Sequence, residues 1–362
     1  MREGSSLIPS QTDRRIRLTH HVLVLDDGHQ VGVSVGGRGV PLVFMHGLAL
    51  SRRAYVRMLS RFAGLGFLVV AIDAAGHGDT RNLPRDAGEF ADRVDLTVRT
   101  LDALGIRQAV VAGHSMGGRM AIQLAAVAPD RVLAAVLFDA AAGASFDRAV
   151  SSVLRSPRQA MRALLGMALD LDAYRLDIAE RSRYMRMLAS VMIGNVRRPS
   201  GVTGAARAII QSGDYTPLLH AMREHHVSTM VLHGEKDMVV PFDSARDIAE
   251  EADATLYQVP RAYHSWMIAN PSHGADSLRQ LLDGELGEVL RSAADGFGIE
   301  DWRDVAAWDE ALLAPDARVR ELAADKVVEL GVAQPQHVDM ELVRHPQRTW
   351  WMRRIQQRAD SA

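Results

Sequence analysis

Short apolar runs alternate with amphipathic stretches along most of the chain. The runs are rich in Val, Leu, Ile and Ala and carry no internal charge, which is typical of strands buried on both faces of a parallel sheet. Eight of them predict strands, at 22–25, 31–35, 41–45, 67–72, 109–112, 132–138, 228–232 and 255–259. Helical stretches separate most of these runs. We therefore predict an α/β fold with a mostly parallel eight-stranded sheet and helices on both faces.

Residues 144–212 break this alternation. They contain no strand-like run and are rich in Arg and Met, for example Met161, Met185 and Met187. We predict two to four helices there, inserted into the fold as a cap. Methionine is apolar and adaptable, so these side chains either line a pocket for an apolar substrate or pack the cap on the core.

Residues 286–362 are the second exception. Trp302 and Trp308 share a helical face with Val305 and Leu312, and Pro315 to Gly331 predicts a further helix. We expect a helical extension that packs on the core or joins a homo-oligomer; a third alternative is that its end, 348–354, contacts a membrane surface. The predicted organisation is a flexible lead at 1–21, a core at 22–143 and 213–285, a cap at 144–212 and a C-terminal extension at 286–362.

Composition narrows the classes of function. The 362 residues are 48% hydrophobic and 24% charged, which is typical of a globular protein in water. The formal net charge of -2 creates no field that favours nucleic acid. The chain has no Cys, which excludes thiol catalysis and suits a reducing, cytoplasmic compartment. With no secretory signal and no apolar run of membrane-spanning length, we expect a small-molecule substrate rather than a nucleic acid or an integral membrane segment.

The most informative segment is the G-x-S-x-G sequence at 113–117. A buried strand precedes it and a helical stretch follows, so Ser115 is predicted to lie on a sharp turn at the edge of the sheet. Gly113 and Gly117 are expected where a side chain would collide with the neighbouring backbone. His114, between Gly113 and Ser115, is assigned a structural role. These features favour Ser115 as a nucleophile.

A serine nucleophile needs a base to accept its proton and an acid to orient that base. His264 follows the last predicted strand and Asp237 follows the strand before it, so both belong to the same sheet edge as Ser115. We predict His264 as the base and Asp237 as the acid. His233 is a rival base and Asp139 a rival acid, since each also ends a predicted strand.

The developing negative charge would be stabilised by backbone N–H groups, for which we select Met116 and Leu48. Three neighbouring residues, His46, Gly47 and Asp73, also follow strands, and for these we predict structural roles. The glycines at 76 and 78 do not form a dinucleotide fingerprint, because position 81 is Arg. No residue pattern indicates a cofactor or a metal site.

Together these segments resemble the α/β-hydrolase superfamily in its capped, single-domain form. The likeness covers about residues 22–285 and includes His46-Gly47, the segment 73–78, the G-x-S-x-G turn, Gly234 to Asp237, and His264. It implies that Ser115, Asp237 and His264 are nucleophile, acid and base of a cofactor-independent hydrolase acting on a carboxylic ester or related acyl bond of a small, apolar substrate. The alternatives are a carbon–carbon bond hydrolase, a haloperoxidase-like enzyme, and a non-catalytic ligand-binding protein of the same fold.

Overall fold

In a computed structural model of the protein, residues 13–84, 88–155, 178–197, 199–324, 329–333 and 338–347 are described, together with Arg158, Leu165 and Leu169. Three parts of the sequence discussed above lie outside the described residues: most of the predicted lead at 1–12, Met161, and the basic and aromatic end at 348–354.

The described residues form two sheets. The strands are β1 Asp13–Ile16, β2 Thr19–Val24, β3 Gln30–Gly36, β4 Val40–Met45, β5 Phe67–Ile72, β6 Ala109–His114, β7 Val132–Phe138, β8 Thr229–Gly234, β9 Thr255–Val259, β10 Glu329–Ala333 and β11 Glu341–Arg344. The main sheet has nine strands in the order β11-β9-β8-β7-β6-β4-β5-β3-β2. Within it β4 to β9 are mutually parallel, whereas β2, β3 and β11 run antiparallel to their neighbours. The predicted fold class, a mostly parallel α/β sheet, is confirmed.

Helices cover both faces of this sheet. They are Val56–Gly64, Phe90–Leu104, Met116–Val127, Ala144–Arg155, Ile178–Arg197, Pro199–Gln211, Thr216–Glu224, Phe242–Glu251, Trp266–Ala269, Pro271–Asp283, Glu285–Phe297, Val305–Leu312 and Arg318–Ala324. None of the described helices is both long and apolar enough to cross a bilayer.

The central strands explain why the apolar runs are continuous rather than alternating. Every residue of β4 is buried, because Leu42 and Phe44 pack in one layer and Val43 and Met45 in the opposite one. The first layer includes the helices at 56–64 and 271–283, and the second those at 90–104 and 116–127. Burial on both faces makes the sheet a rigid platform, and its carboxyl edge collects the loops that follow the parallel strands.

The C-terminal extension is not wholly helical, which corrects the sequence-based prediction. The structure has a helix at Arg318–Ala324, but Gly331, where the predicted helix ends, lies in β10, which pairs with β1. β11 then adds a ninth strand beside β9. Both pairings join segments that are distant in sequence, so no local pattern reports them. Because β1 and the start of β2 precede residue 22, part of the predicted lead also belongs to the sheets.

The extension contacts the edge of the sheet opposite the carboxyl ends of the strands. Arg107 N–H donates to the Leu312 carbonyl at 2.8 Å, and Ala314 N–H donates to the Gly105 carbonyl at 2.8 Å. Gly105 and Arg107 immediately precede β6, so this part of the extension contacts the amino end of that strand. The carboxyl ends of the parallel strands are followed by the loops of the core.

A buried ion pair ties the helix Ala144–Arg155 to the core. Arg119, on the helix after Ser115, contacts Asp147 at 2.6 Å, and its guanidinium stacks on the Tyr215 ring at 3.4 Å. Arg119 is fully buried, and its remaining donors reach Ser212 and backbone carbonyls. The segment that follows β7 is thus anchored, through Asp147, to a residue one helical turn after Ser115.

Candidate active site

Ser115 lies between β6 and the helix Met116–Val127 in a strained backbone conformation, with φ 55° and ψ -116°. The flanking glycines permit this turn: a Cβ on Gly113 would overlap the Gly117 carbonyl, and one on Gly117 would overlap the Met45 carbonyl. Such a conformation costs on the order of 1–3 kcal/mol and persists only where the surroundings impose it. The sequence-based reason for the two glycines therefore agrees with the observed contacts.

Backbone hydrogen bonds hold Ser115 in place. Its N–H donates to the Phe138 carbonyl at 3.0 Å, and its own carbonyl accepts from Ala141 N–H at 3.0 Å. The strand β7 and the loop after it thus fix the turn from one side. The residue is largely buried, with 8% of its surface exposed.

His264 and Asp237 meet at the same edge of the sheet. His264 Nδ1 lies 2.7 Å from Asp237 Oδ2, and Asp237 Oδ1 accepts from the N–H groups of Val239 at 2.7 Å and Val240 at 2.9 Å. Burial alone would raise the pKa of Asp237, but His264 and the backbone donors outweigh it and hold the pKa below its usual value. An ionised carboxylate accepts only, so Nδ1 of His264 carries the hydrogen and Nε2 keeps its lone pair.

The rival base, His233, is occupied elsewhere. Its Nε2 lies 3.5 Å from Asp237 Oδ2 but 3.0 Å from the Val240 carbonyl, to which it donates. Full burial lowers the pKa of His233, so the ring is neutral. His233 therefore packs against the loop that carries Asp237, and we interpret it as a structural residue.

The rival acid, Asp139, braces two elements. Oδ1 accepts from Gly234 N–H at 2.8 Å and Oδ2 accepts from the Trp266 Nε1–H at 2.7 Å. Asp139 therefore connects the ends of β7 and β8 to the short helix Trp266–Ala269, which follows His264.

Asp139, His233 and Asp237 are also a cluster of possible metal ligands, with their donor atoms within 4.8 Å of one another. Their chemistry does not fit an ion. The carboxylate oxygens are occupied by N–H donors, and Nε2 of His233 carries a hydrogen directed at a carbonyl. We therefore interpret this cluster as a group of hydrogen-bonded residues that holds the loop carrying Asp237 in place.

The loop after β4 lies directly against the serine turn. An ideal Cβ on Gly47 would be 3.4 Å from the Ser115 Cβ and 2.9 Å from His114 Nδ1. Among the described residues, neither the Leu48 nor the Met116 N–H donates to a protein acceptor. These two amides, one on each loop, are available to bind a negatively charged oxygen.

His46 and Asp73 hold this loop from outside. His46 Nδ1 donates to the Gly47 carbonyl at 2.8 Å and Nε2 accepts from Ala74 N–H at 2.9 Å. Burial lowers the pKa of His46 to about 4, so the ring is neutral. Asp73 accepts from the backbone N–H groups of Arg52 and Asp79 at 2.8 Å each and is paired with the Arg52 guanidinium.

Replacing Gly47 by Ala is expected to lower kcat by about tenfold to a hundredfold, with a smaller change in KM. The added methyl would be too close to the buried His114 ring, so the loop bearing Leu48 must shift, and loss of the oxyanion donor predicted at Leu48 would cost about that much or more. The measurement is steady-state ester hydrolysis. Gly296→Ala is the matched control, because its Cβ would meet nothing within 4 Å. Equal kinetics for the two variants would contradict the predicted role of the loop after β4 in binding an oxyanion.

Buried histidines should make the protein sensitive to mild acid. Burial lowers the pKa of His46 to about 4 and those of His77 and His114 to about 3, from an ordinary value of 6.5. Below pH 6.5 these histidines bind protons in the unfolded chain but not in the folded protein. The free energy of unfolding therefore falls as the pH falls, by about 1.4 kcal/mol per pH unit for each ring. Carboxyl groups whose pKa burial raises, such as Asp73 and Asp147, offset part of this loss.

The free energy of unfolding, measured in urea between pH 7 and pH 5, should therefore decrease steadily. A stability that is constant over this interval would contradict the lowered pKa values of these rings in the folded state.

The comparisons with known proteins agree with this architecture. A family model described as the alpha/beta hydrolase fold matches residues 40–271. The chain therefore belongs to the α/β-hydrolase family.

Individual relatives are similar over most of their length. A protein of Mycobacterium phage D29 that carries a non-heme haloperoxidase name is 41% identical over 267 residues, which is 72% of this chain and 93% of that protein. A monoacylglycerol lipase of Mycolicibacterium smegmatis is 31% identical, covering 63% of this chain and 81% of the lipase. Among solved structures, a thermophilic esterase from Thermogutta terrifontis is similar in fold, with a TM-score of 0.58, 20% identity, and coverage of 73% of this chain and 98% of the esterase.

Two residues near the site were not identified from the sequence. Trp266 is fully buried and hydrogen-bonds Asp139, and Tyr55 is fully buried between Gly47 and His114. Each follows a predicted loop within ten residues of a predicted site residue. A polar aromatic residue so close to a predicted site is the signal that could have found them, since a buried Tyr or Trp usually bonds its polar atom.

Proposed function

We propose that the protein is a cofactor-independent serine hydrolase in which Ser115 is the nucleophile, His264 the base and Asp237 the acid. The observation that carries the proposal is the 2.7 Å bond between His264 Nδ1 and the buried Asp237 carboxylate. It leaves His264 Nε2 free to accept a proton, and β6, β8 and β9 deliver all three residues to one edge of the sheet.

The proposed reaction has two halves. In the first, Ser115 Oγ attacks the acyl carbon while its proton moves to His264 Nε2, and the carbonyl oxygen becomes an oxyanion bound by the Leu48 and Met116 N–H groups. The tetrahedral intermediate expels the alcohol, which takes the proton from His264. In the second half, His264 takes a proton from water as the hydroxide adds to the acyl-enzyme. The tetrahedral intermediate then collapses, Ser115 Oγ leaves and takes that proton back from His264, and the carboxylic acid is released.

The proposed substrate is a carboxylic ester or related acyl compound that is small and apolar. One observation supports this class: the similar lipase of Mycolicibacterium smegmatis is named for acylglycerol substrates.

A second candidate is haloperoxidase-like chemistry on the same three residues. The specific observation in its favour is the phage D29 protein, which is more similar to this chain than the lipase is. Carbon–carbon bond hydrolysis uses the same residues and is a further outcome of the test below.

Hydrolysis of aryl esters with acyl chains of increasing length tests the proposal, together with labelling of Ser115 by a fluorophosphonate. Turnover that depends on chain length supports an esterase and measures the acyl pocket. Labelling without ester turnover favours one of the other reactions. If the protein shows neither labelling nor turnover, the proposal is replaced by that of a non-catalytic ligand-binding protein.

A further inference from the structure

Tyr55 lies at the point where three loops of the site meet. It belongs to the short turn before the helix Val56–Gly64, and only 1% of it is exposed. Its Oη accepts from Gly47 N–H at 3.2 Å and lies 2.7 Å from His114 Nδ1. His114 Nε2 in turn lies 2.7 Å from the carbonyl oxygen of His264.

The direction of each hydrogen bond in this chain follows from the groups at its ends. The Gly47 amide only donates, and the His264 carbonyl only accepts. His114 must therefore carry its hydrogen on Nε2, which leaves a lone pair on Nδ1 for the Tyr55 hydroxyl. Every polar atom of the chain is then satisfied, and only one arrangement of the hydrogens achieves this.

The charge states agree with this arrangement. Burial lowers the pKa of His114 to about 3, with His264 adding to the effect, so the ring stays neutral around pH 7. Burial also raises the pKa of Tyr55 above its usual value, so the phenol keeps its hydrogen. A charged His114 would carry hydrogens on both ring nitrogens, so it would offer no lone pair at Nδ1 to accept the hydrogen of the Tyr55 hydroxyl.

We propose that Tyr55 and His114 are positioning residues that hold the Gly47–Leu48 loop and the His264 backbone in register with Ser115. This inference rests on the proposed function, since it places the base His264 at one end of the hydrogen-bonded chain and Gly47, the neighbour of the oxyanion donor Leu48, at the other. His114 adjoins Ser115 in sequence, so the chain fixes base and oxyanion loop relative to the nucleophile itself.

The test is Tyr55→Phe, which deletes one oxygen and leaves Gly47 N–H and His114 Nδ1 without their partner. We expect kcat for an aryl ester to fall roughly 10- to 100-fold, because displacing a reacting group by about 1 Å costs on that order. KM should change by less than about twofold, since neither residue is placed against substrate, and the rate of fluorophosphonate labelling should fall in parallel with kcat.

The matched control is Tyr215→Phe. Tyr215 is equally buried, and its hydroxyl also donates one hydrogen bond, to Gln123 at 2.7 Å, away from the three loops. It should lose a comparable amount of stability while keeping kcat. If both variants lower kcat equally, the effect of Tyr55 is one of general stability, and the proposal is wrong.

A second variant keeps the proposal testable if Tyr55→Phe does not fold. His114→Leu removes both the acceptor for Tyr55 and the donor toward the His264 carbonyl, so it should also lower kcat. In the double variant the two losses should not multiply, because both break the same chain. Multiplying losses would overturn the proposal.

The wild-type protein separates this inference from the proposed function. Wild-type turnover with an unchanged kcat in Tyr55→Phe rejects the positioning role alone. A wild-type protein that neither turns over esters nor reacts with the fluorophosphonate rejects the proposed function, and with it the inference.

Discussion

Replacing Ser115 by Ala is expected to lower ester turnover by at least about 10⁴-fold, because the variant has no hydroxyl with which to form the acyl-enzyme. Folding should be nearly unchanged. The strained backbone at φ 55° is imposed by the surrounding contacts and is equally strained for Ala and Ser. We expect the free energy of unfolding to change by less than about 1 kcal/mol, since the substitution removes a single side-chain oxygen.

The comparison variant is Ser244→Ala. Ser244 is also fully buried, and its Oγ has no hydrogen-bond partner among the described residues, so its removal should alter neither turnover nor labelling. Substantial turnover in purified Ser115→Ala, above that of a mock preparation, would refute the assignment of the nucleophile.

The sheet could be predicted from sequence because its central strands are buried on both faces. In β4, β5 and β6 every residue is buried, so each appears as an uninterrupted apolar run. In a parallel sheet the ends of such runs meet at one edge, which is how Ser115, Asp237 and His264 could be proposed together without a structure.

The C-terminal extension could not be predicted in the same way. β10 and β11 are short and gain their stability from partners far away in the chain, β1 and β9 respectively. The pattern around Gly331 fits a helix as well as a strand when the partner strand is unknown. Only the tertiary contact decides between the two, so the helix predicted to reach Gly331 was wrong.

The hydrogen-bonded chain through Tyr55 was missed for a related reason. Tyr55 appears in the sequence as a single aromatic residue between the predicted strands 41–45 and 67–72. Its importance comes from the two hydrogen bonds of its hydroxyl, one with Gly47 and one with His114. A pattern along the chain reports which residues are buried but not which polar atoms they satisfy.

The sequence offers Asp139 as a rival acid beside Asp237, and Asp237→Asn tests the assignment. Asp237 Oδ1 already accepts two backbone N–H groups, so the amide oxygen of Asn must stay there and its NH₂ must face His264 Nδ1. His264 is then forced to accept at Nδ1 and to carry its hydrogen on Nε2. This tautomer cannot take the proton of Ser115, and we expect kcat near neutral pH to fall by about 10³- to 10⁴-fold.

The matched variant is Asp139→Asn. Both oxygens of Asp139 accept from N–H donors, of Gly234 and of Trp266, so its new NH₂ leaves one donor opposed by another. This variant should lose about 1–3 kcal/mol of stability yet keep most of its turnover. The opposite outcome, an inactive Asp139 variant beside an active Asp237 variant, would transfer the role of acid to Asp139. The two carboxylates follow neighbouring strands, and the partner that each one holds distinguishes them. Asp237 holds an imidazole, which can accept a proton, whereas Asp139 holds an indole, which cannot.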